Sequence, residues 1–158
     1  MFCGIVDFYS KKNHTDTLFS MGENQKSALP YASAYIKSGT ALLSRTLDKS
    51  FPFPYTKGKH TILIDVKHAE AEQIIDDFAV GSTDFLRSIC TPTSLAIFDS
   101  ASEELYLFYT NGGAPIYFAE DTKLTFTTCP NHTTHESFSH LAERSILIYN
   151  RTGLSIIK

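Results

Sequence analysis

The sequence lacks the features that mark membrane proteins and nucleic-acid-binding proteins. It has no apolar run of about 18 residues or more, which a transmembrane helix requires. Near its beginning it has no basic segment followed by an apolar stretch, as a signal peptide has. Its 14 Lys and Arg are outnumbered by 17 Asp and Glu, so no basic excess is present to neutralise a phosphate backbone. We therefore expect a cytoplasmic protein with neither membrane nor nucleic-acid partners.

Cysteine is also scarce, and its spacing excludes the common metal and redox motifs. Cys3, Cys90 and Cys129 include no Cys-x-x-Cys pair, so a zinc or dithiol site is not expected. The three histidines of the polar segment 130–143 are interpreted as loop residues, because a metal site needs a fixed scaffold and further ligands. The turn at 110–114 lacks the Lys-Ser/Thr of a phosphate-binding loop. We expect no metal and no cofactor.

The amino-acid composition is typical of a globular protein and is rich in aromatic residues. Its 158 residues are 42% hydrophobic and include 12 Phe and 8 Tyr. A chain of this length buries roughly 70% of its unfolded surface, so it needs no disulfide or metal to hold a core. We expect one domain spanning 1–158.

β-prone runs occupy both ends of the chain, with a helical pattern between them. Apolar residues within 69–78 recur at the i, i+3, i+4, i+7 spacing of an amphipathic helix. Gly81 is predicted to end this helix, and further helical turns are predicted at 83–89. A short helix is predicted within 25–37, and 10–24 is interpreted as a loop. Strands are predicted at 3–9, 41–47, 60–66, 94–100, 105–111, 112–120, 121–128, 144–150 and 153–158. The pattern predicts an α+β fold with one or two mostly antiparallel sheets covered by helices.

Cys3 is the first candidate for chemistry because of its position near the beginning of the chain. If the residues before it were removed, its own α-amino group, with a pKa of about 7.7–8.0, would become a base beside its thiol. Gly4 would then allow close approach of a substrate to the backbone. The alternative is a buried core cysteine at the start of a strand, since free cysteine is often buried. The residues alone leave both interpretations open.

Four stretches carry a family resemblance. The opening MFCGIVDFY resembles the CGI-x-G-F opening of class II glutamine amidotransferases, whose nucleophile is an N-terminal cysteine. TSLAIFDSASEELYLFYTNGGAPIYFAEDTKLTFTT, residues 93–128, is similar to the F-A-L-W-D and L-x-L-x-R-D-x-x-G-x-x-P-L-Y-Y signature of the asparagine synthetase branch. Residues 144–158 are similar to the last strands of that branch's glutaminase domain, and ALLSRTL at 41–47 is similar to its L-x-H-x-R-L-S strand. The resemblance implies a four-layer αββα sandwich of mostly antiparallel sheets, the N-terminal-nucleophile hydrolase type.

The resemblance also implies a chemistry. Cys3 would attack the side-chain amide of glutamine, its freed amine would act as the general base, and water would release glutamate. Arg45 would match the arginine that clamps the α-carboxylate of glutamine, a role suited to a planar guanidinium; the alternative is a surface or strand-edge arginine. The released ammonia would pass to a separate ATP-using, asparagine synthetase-like partner, because the chain has no S-G-G-x-D-S loop of its own.

Several departures from the family pattern bear on activity. Met1 and Phe2 precede Cys3, so its amine would be free only after both are removed. Asp65 and Val66 stand where the resemblance implies the Asn and Gly of the oxyanion hole, and an ionised Asp accepts hydrogen bonds but donates none. Glu70 would replace the aspartate that holds the glutamine amine, or it is simply a first-turn acid favoured by the helix dipole. The sequence therefore predicts weakened or lost glutaminase activity in a partner subunit, the alternative being an active free-standing glutaminase.

Overall fold

Two antiparallel sheets form the centre of the protein. A computed structural model describes residues 1–10, 12–50, 53–64, 68–130 and 137–158. Within them, sheet 1 has six strands in the order β10-β8-β9-β1-β3-β2, and sheet 2 has six in the order β12-β11-β7-β6-β5-β4. The strands of sheet 1 are β1 Phe2–Val6, β2 Tyr31–Lys37, β3 Thr40–Thr46, β8 Tyr117–Glu120, β9 Leu124–Thr127 and β10 Ser139–His140. Those of sheet 2 are β4 Tyr55–Lys57, β5 His60–Ile64, β6 Ser94–Asp99, β7 Glu104–Tyr109, β11 Ile146–Asn150 and β12 Gly153–Ile157.

One helix covers the outer face of each sheet. Helix α1, Thr15–Gly22, places Leu18 and Met21 on β1 and β3. Helix α2, His68–Ser88, packs Ala71, Ile75 and Phe78 on sheet 2. Within the described residues, no helix has the length and hydrophobicity of a membrane span. The arrangement is helix, sheet, sheet, helix, so the predicted α+β fold with four αββα layers is confirmed.

Strand alternation explains how β1 is buried on both faces. Successive side chains of a strand point to opposite faces. Phe2 and Val6 accordingly join the core between the two sheets, whereas Cys3 and Ile5 join a cluster beneath α1. Gly4 also faces the core between the sheets, where a Cβ atom would lie 2.5 Å from the Phe126 ring. β1 is therefore an interior strand of sheet 1 that is buried on both faces.

The predicted helix in the middle of the chain is confirmed, together with its break. α2 is interrupted at Ser82, whose φ of 48° and ψ of −127° are not helical. This residue follows Gly81, at which the sequence predicted an end, and the helix continues to Ser88. Since Ala71, Ile75 and Phe78 are 0–3% exposed, the amphipathic pattern corresponds to real burial.

Two sequence predictions were wrong between β1 and β3. Helix α1 lies within the segment interpreted as a loop; it has only 8 residues, too few for a clear apolar period. Strand β2 lies within the predicted short helix at 25–37. Of that range only Gln25 is helical, as the last residue of the 3-10 turn Glu23–Gln25. β2 forms a hairpin with β3 in the register Lys37 opposite Thr40, so pairing along the neighbouring strand overrides local preference here.

Candidate functional site

The start of β1 lies between the ends of β3 and β9. The backbone N–H of Arg45 donates to the carbonyl of Met1 at 3.0 Å, and the Met1 amine donates to the carbonyl of Arg45 at 3.3 Å. On the other side, the N–H of Phe2 donates to Oγ1 of Thr128 at 3.1 Å, and the N–H of Thr128 donates to the carbonyl of Phe2 at 3.0 Å. Met1 and Phe2 are thus part of the sheet and not a loose extension of it.

The side chain of Phe2 is a core residue. It is 1% exposed and packs between the two sheets, and its ring meets that of Phe126 edge to face at a centroid distance of 6.4 Å. Burying a phenylalanine side chain contributes about 1.5–3 kcal/mol relative to leaving it exposed. The nucleophile role of Cys3 requires removal of Phe2, and the burial of Phe2 stabilises the fold.

The Cys3 thiol is enclosed beneath α1. The residue is 0% exposed, and its Sγ lies 4.0 Å from the carbonyl oxygen of Leu18. Burial raises the pKa of the Cys3 thiol to about 12, and the positive charges of Arg45 and of the N-terminal amine oppose that rise only in part. Because the thiolate and not the thiol is the nucleophile, Cys3 is unreactive in this arrangement.

Arg45 is the second predicted site residue, and it lies beside Cys3. Arg45 is 4% exposed, yet its guanidinium makes few hydrogen bonds. Nη1 donates to the carbonyl of Leu29 at 3.4 Å, Nη2 is 3.9 Å from the Glu23 carboxylate, and Nε has no hydrogen-bond partner among the described residues. A buried guanidinium in this state has spare capacity to donate to an anion.

Glu70 lies in a different layer of the sandwich. It is exposed in the first turn of α2 and lines a cavity of about 520 Å³ with Gln73, Asp77 and Pro92 on the outer side of sheet 2. The structure therefore brings Cys3 and Arg45 together and leaves Glu70 apart from them. Asp65 and Val66 lie outside the described residues.

Two further residues near Cys3 were not predicted as part of a site. Gln25 donates from Nε2 to Sγ of Cys129 at 3.0 Å, and Cys129 acts on Cys3 electrostatically by raising its pKa. The two cysteines approach because Cys3 pairs with Thr127, a register that the sequence does not reveal. In the described ranges, no group of three or more His, Cys, Asp or Glu is arranged to hold a metal ion.

The burial of Cys3 predicts a labelling pattern. At pH 8 a thiol with a pKa of about 12 is ionised about 10³-fold less than a free cysteine. We expect an alkylating reagent to modify the exposed Cys90 in the native protein, and to modify Cys3 at least about 10³-fold more slowly than in the unfolded chain. Peptide mass spectrometry of each cysteine over time measures both rates. Equal labelling of Cys3 and Cys90 in native protein would contradict the enclosed arrangement.

Solved structures supply the comparison with known proteins. An allosteric regulatory enzyme of purine biosynthesis matches with a TM-score of 0.61 and 10% identity, over 99% of this chain and 42% of that one. A glutamine aminotransferase class-II domain protein from Silicibacter pomeroyi matches with a TM-score of 0.58 and 9% identity, over 99% and 97% of the two chains. The glutamine phosphoribosylpyrophosphate amidotransferase from B. subtilis, in complex with ADP and GMP, matches with a TM-score of 0.52 and 13% identity, over 99% and 42%.

These matches define the class of fold. The chain has the fold of the class II glutamine amidotransferases, which confirms the fold that the sequence resemblance implied. It spans less than half the length of the allosteric regulatory enzyme and of the phosphoribosylpyrophosphate amidotransferase, and nearly the whole of the class-II domain protein. No protein-family model and no curated protein matches the chain.

Proposed function

We propose that this chain is a glutamine amidotransferase domain of the asparagine synthetase lineage in which glutamine hydrolysis is weakened or lost, and that it acts as the partner subunit of a separate synthetase. The observation that carries the proposal is the place of Phe2 in the core between the sheets. An N-terminal cysteine nucleophile needs its own free amine. Here the two residues that stand before Cys3 are held by both sheet neighbours.

Removal of Met1 and Phe2 would disturb the sandwich in two ways. It would empty the space that the Phe2 ring fills, for which large-to-small core changes cost about 3–5 kcal/mol. It would also remove the backbone bonds to Arg45 and Thr128, each of which contributes about 0.5–1.5 kcal/mol. Both costs favour the chain that keeps Met1 and Phe2, in which the nitrogen of Cys3 is an amide and cannot act as a base.

The state of the Cys3 thiol supports the same conclusion. In the uncleaved chain it is enclosed and neutral, so it has neither access to an amide nor the charge to attack one. The replacement of an oxyanion-hole asparagine by Asp65, which the resemblance implies, would add a repulsive acceptor where a donor is needed. Burial thus removes both the exposure and the charge that the nucleophile needs, and oxyanion stabilisation is a separate requirement that the resemblance implies to be weakened.

Arg45 and Glu70 fit this proposal with different roles. We propose Arg45 as the remnant of a clamp for the glutamine α-carboxylate, because its buried Nε still has no partner among the described residues. The solvent exposure of Glu70 in the first turn of α2 favours its interpretation as an acid placed by the helix dipole. Glutamine, if it binds, would then be held more weakly than by a complete site.

Intact mass and glutamate release from the purified chain test the loss of catalysis. We expect the mass of the full sequence, 17.6 kDa, with Met1 and Phe2 present. We also expect no glutamate release above that of a Cys3→Ser control, and no adduct on Cys3 after treatment with a glutamine-mimicking electrophile. Any modification of Cys90 serves as the internal control for reagent quality.

A different result would favour the alternative. A chain lighter by Met and Phe, with an adduct on Cys3 and glutamate release that Cys3→Ser abolishes, would identify an active free-standing glutaminase. The partner role is tested separately by mixing the chain with the asparagine synthetase-like enzymes of its own organism. A raised rate of ammonia-dependent synthesis and coelution of the two proteins are expected; their absence would contradict the partner role and leave the loss of catalysis standing.

A further inference from the structure

Strand β2 is the longest sheet edge among the described residues. It has seven residues, compared with five in β12, three in β4 and two in β10. Six of its seven residues are exposed, and these include Tyr31 at 45% and Ile36 at 43%. Tyr35 is the exception, because it packs against the core between the sheets with its ring 6.4 Å from that of Phe98 in sheet 2. The side chains of the other six residues are accessible.

The hairpin turn determines which backbone groups of β2 face outward. Ser38 and Gly39 both have positive φ, 47° and 84°, as in a two-residue type I′ turn. Lys37 and Thr40, which close such a turn, exchange both of their backbone bonds, and the pairing then alternates along the strand. Ala32, Ala34 and Ile36 consequently direct their N–H and C=O groups away from β3, and no described strand pairs with them.

The devices that usually protect an edge are missing from this one. Natural edges are blunted by central lysines, by proline, by bulges or by shortness. Pro30 and Lys37 stand only at the two ends of β2, and the six residues from Tyr31 to Ile36 carry no charge. On the edge strand β4, by contrast, Lys57 holds a charge that pairs with Glu72 and Asp76.

We propose that β2 pairs antiparallel with β2 of a second copy of this chain, across a two-fold axis at Ala34. In this register a large residue stands opposite a small one at each position next to the axis. Ile36 faces Ala32 of the second copy on one side of the sheet, and Tyr35 faces Ser33 on the other. Ala34 faces itself, where a larger residue would crowd the axis. Sheet 1 of one copy, with six strands, and sheet 1 of the second copy would then form one continuous sheet.

Charge selects this orientation over the parallel one. In the antiparallel register Lys37 lies opposite Tyr31 of the second copy, where an ammonium and an aromatic ring attract each other. In a parallel, in-register pair Lys37 would lie opposite Lys37, and like charges directly opposite are destabilising. The three outward-facing residues of each copy carry one N–H and one C=O each, so about six backbone bonds join the two copies. This interface does not depend on the proposed function.

Light scattering coupled to gel filtration tests the interface over about a hundredfold range of concentration. We expect the unmodified chain to shift from the mass of one chain, 17.6 kDa, to twice that mass as its concentration rises. Ala34→Lys and Ala34→Glu each place like charges on the axis, so we expect each alone to raise the dissociation constant at least about tenfold. An equimolar mixture of the two variants is expected to restore the dimer.

Two controls separate this edge from other contacts. Ala34→Ser keeps both the backbone groups and the small size, so the dimer should persist. Ser155→Lys puts the same charge on β12, the edge strand of sheet 2, and should leave the dissociation constant unchanged. Far-ultraviolet circular dichroism checks that each variant is folded. A single-chain mass at every concentration, a dimer that survives Ala34→Lys, or a mixture that stays monomeric would each overturn the proposal.

Discussion

Replacement of Phe2 by alanine is expected to lower the free energy of unfolding by about 3–5 kcal/mol. The ring is 1% exposed and fills the space between the sheets beside Phe126. Its removal loses the transfer free energy of the ring and leaves a cavity, since β1 is fixed by β3 and β9 on both sides and cannot collapse into it. The midpoint and slope of urea unfolding measure the loss.

Phe19→Ala is the matched control for this prediction. Phe19 is 37% exposed on α1, and the same chemical change there should cost less than about 1 kcal/mol. If both variants unfold at the same urea concentration, Phe2 does not have the core role described here. The result bears on function as well, because a processing event that exposes Cys3 as the first residue removes this same ring.

Gly39→Ala is expected to be the second strongly destabilising change, at about 3 kcal/mol or more. Gly39 has a φ of +84°, and a Cβ atom there would lie 2.2 Å from the carbonyl oxygen of Asp7 and 2.4 Å from that of Ser10. Both obstacles are backbone atoms, which do not move aside as a flexible side chain does. The clash adds to the strain of a left-handed conformation in a residue with a side chain.

Gly58→Ala separates the clash from the strain. Gly58 also has a positive φ, +60°, but nothing lies within 4 Å of its added Cβ, so the expected cost is only about 1–2 kcal/mol. Urea unfolding of both variants gives the difference directly. Equal losses would mean that the contact between the β2–β3 turn and the Asp7–Ser10 segment is not tight, and would weaken the placement of the β2 edge.

The candidate site was predictable only in part. The resemblance at the opening residues implied Cys3, the resemblance at 41–47 implied Arg45, and the structure brings the two side chains together. Burial of Cys3 was the alternative interpretation from the residues alone, and the structure shows it to be buried. The sequence did not predict the helix that covers it, because α1 has only 8 residues and too little periodicity. Gln25 and Cys129 were missed because they join the cluster through the pairing of β1 with β9, whose partners are more than a hundred residues apart.

The sequence by itself determined the strands near both ends of the chain, the amphipathic helix between them that breaks after Gly81, and the α+β class. These are properties of local period and of turn residues, which the chain carries wherever it folds. Only the tertiary structure decided that 31–37 is a strand, that the Cys3 thiol is neutral and that Phe2 lies in the core. Each of these depends on which neighbour covers a given face. A strand accepts partners along its edge and layers on both sides, and the identity of those partners is a property of the assembled sandwich.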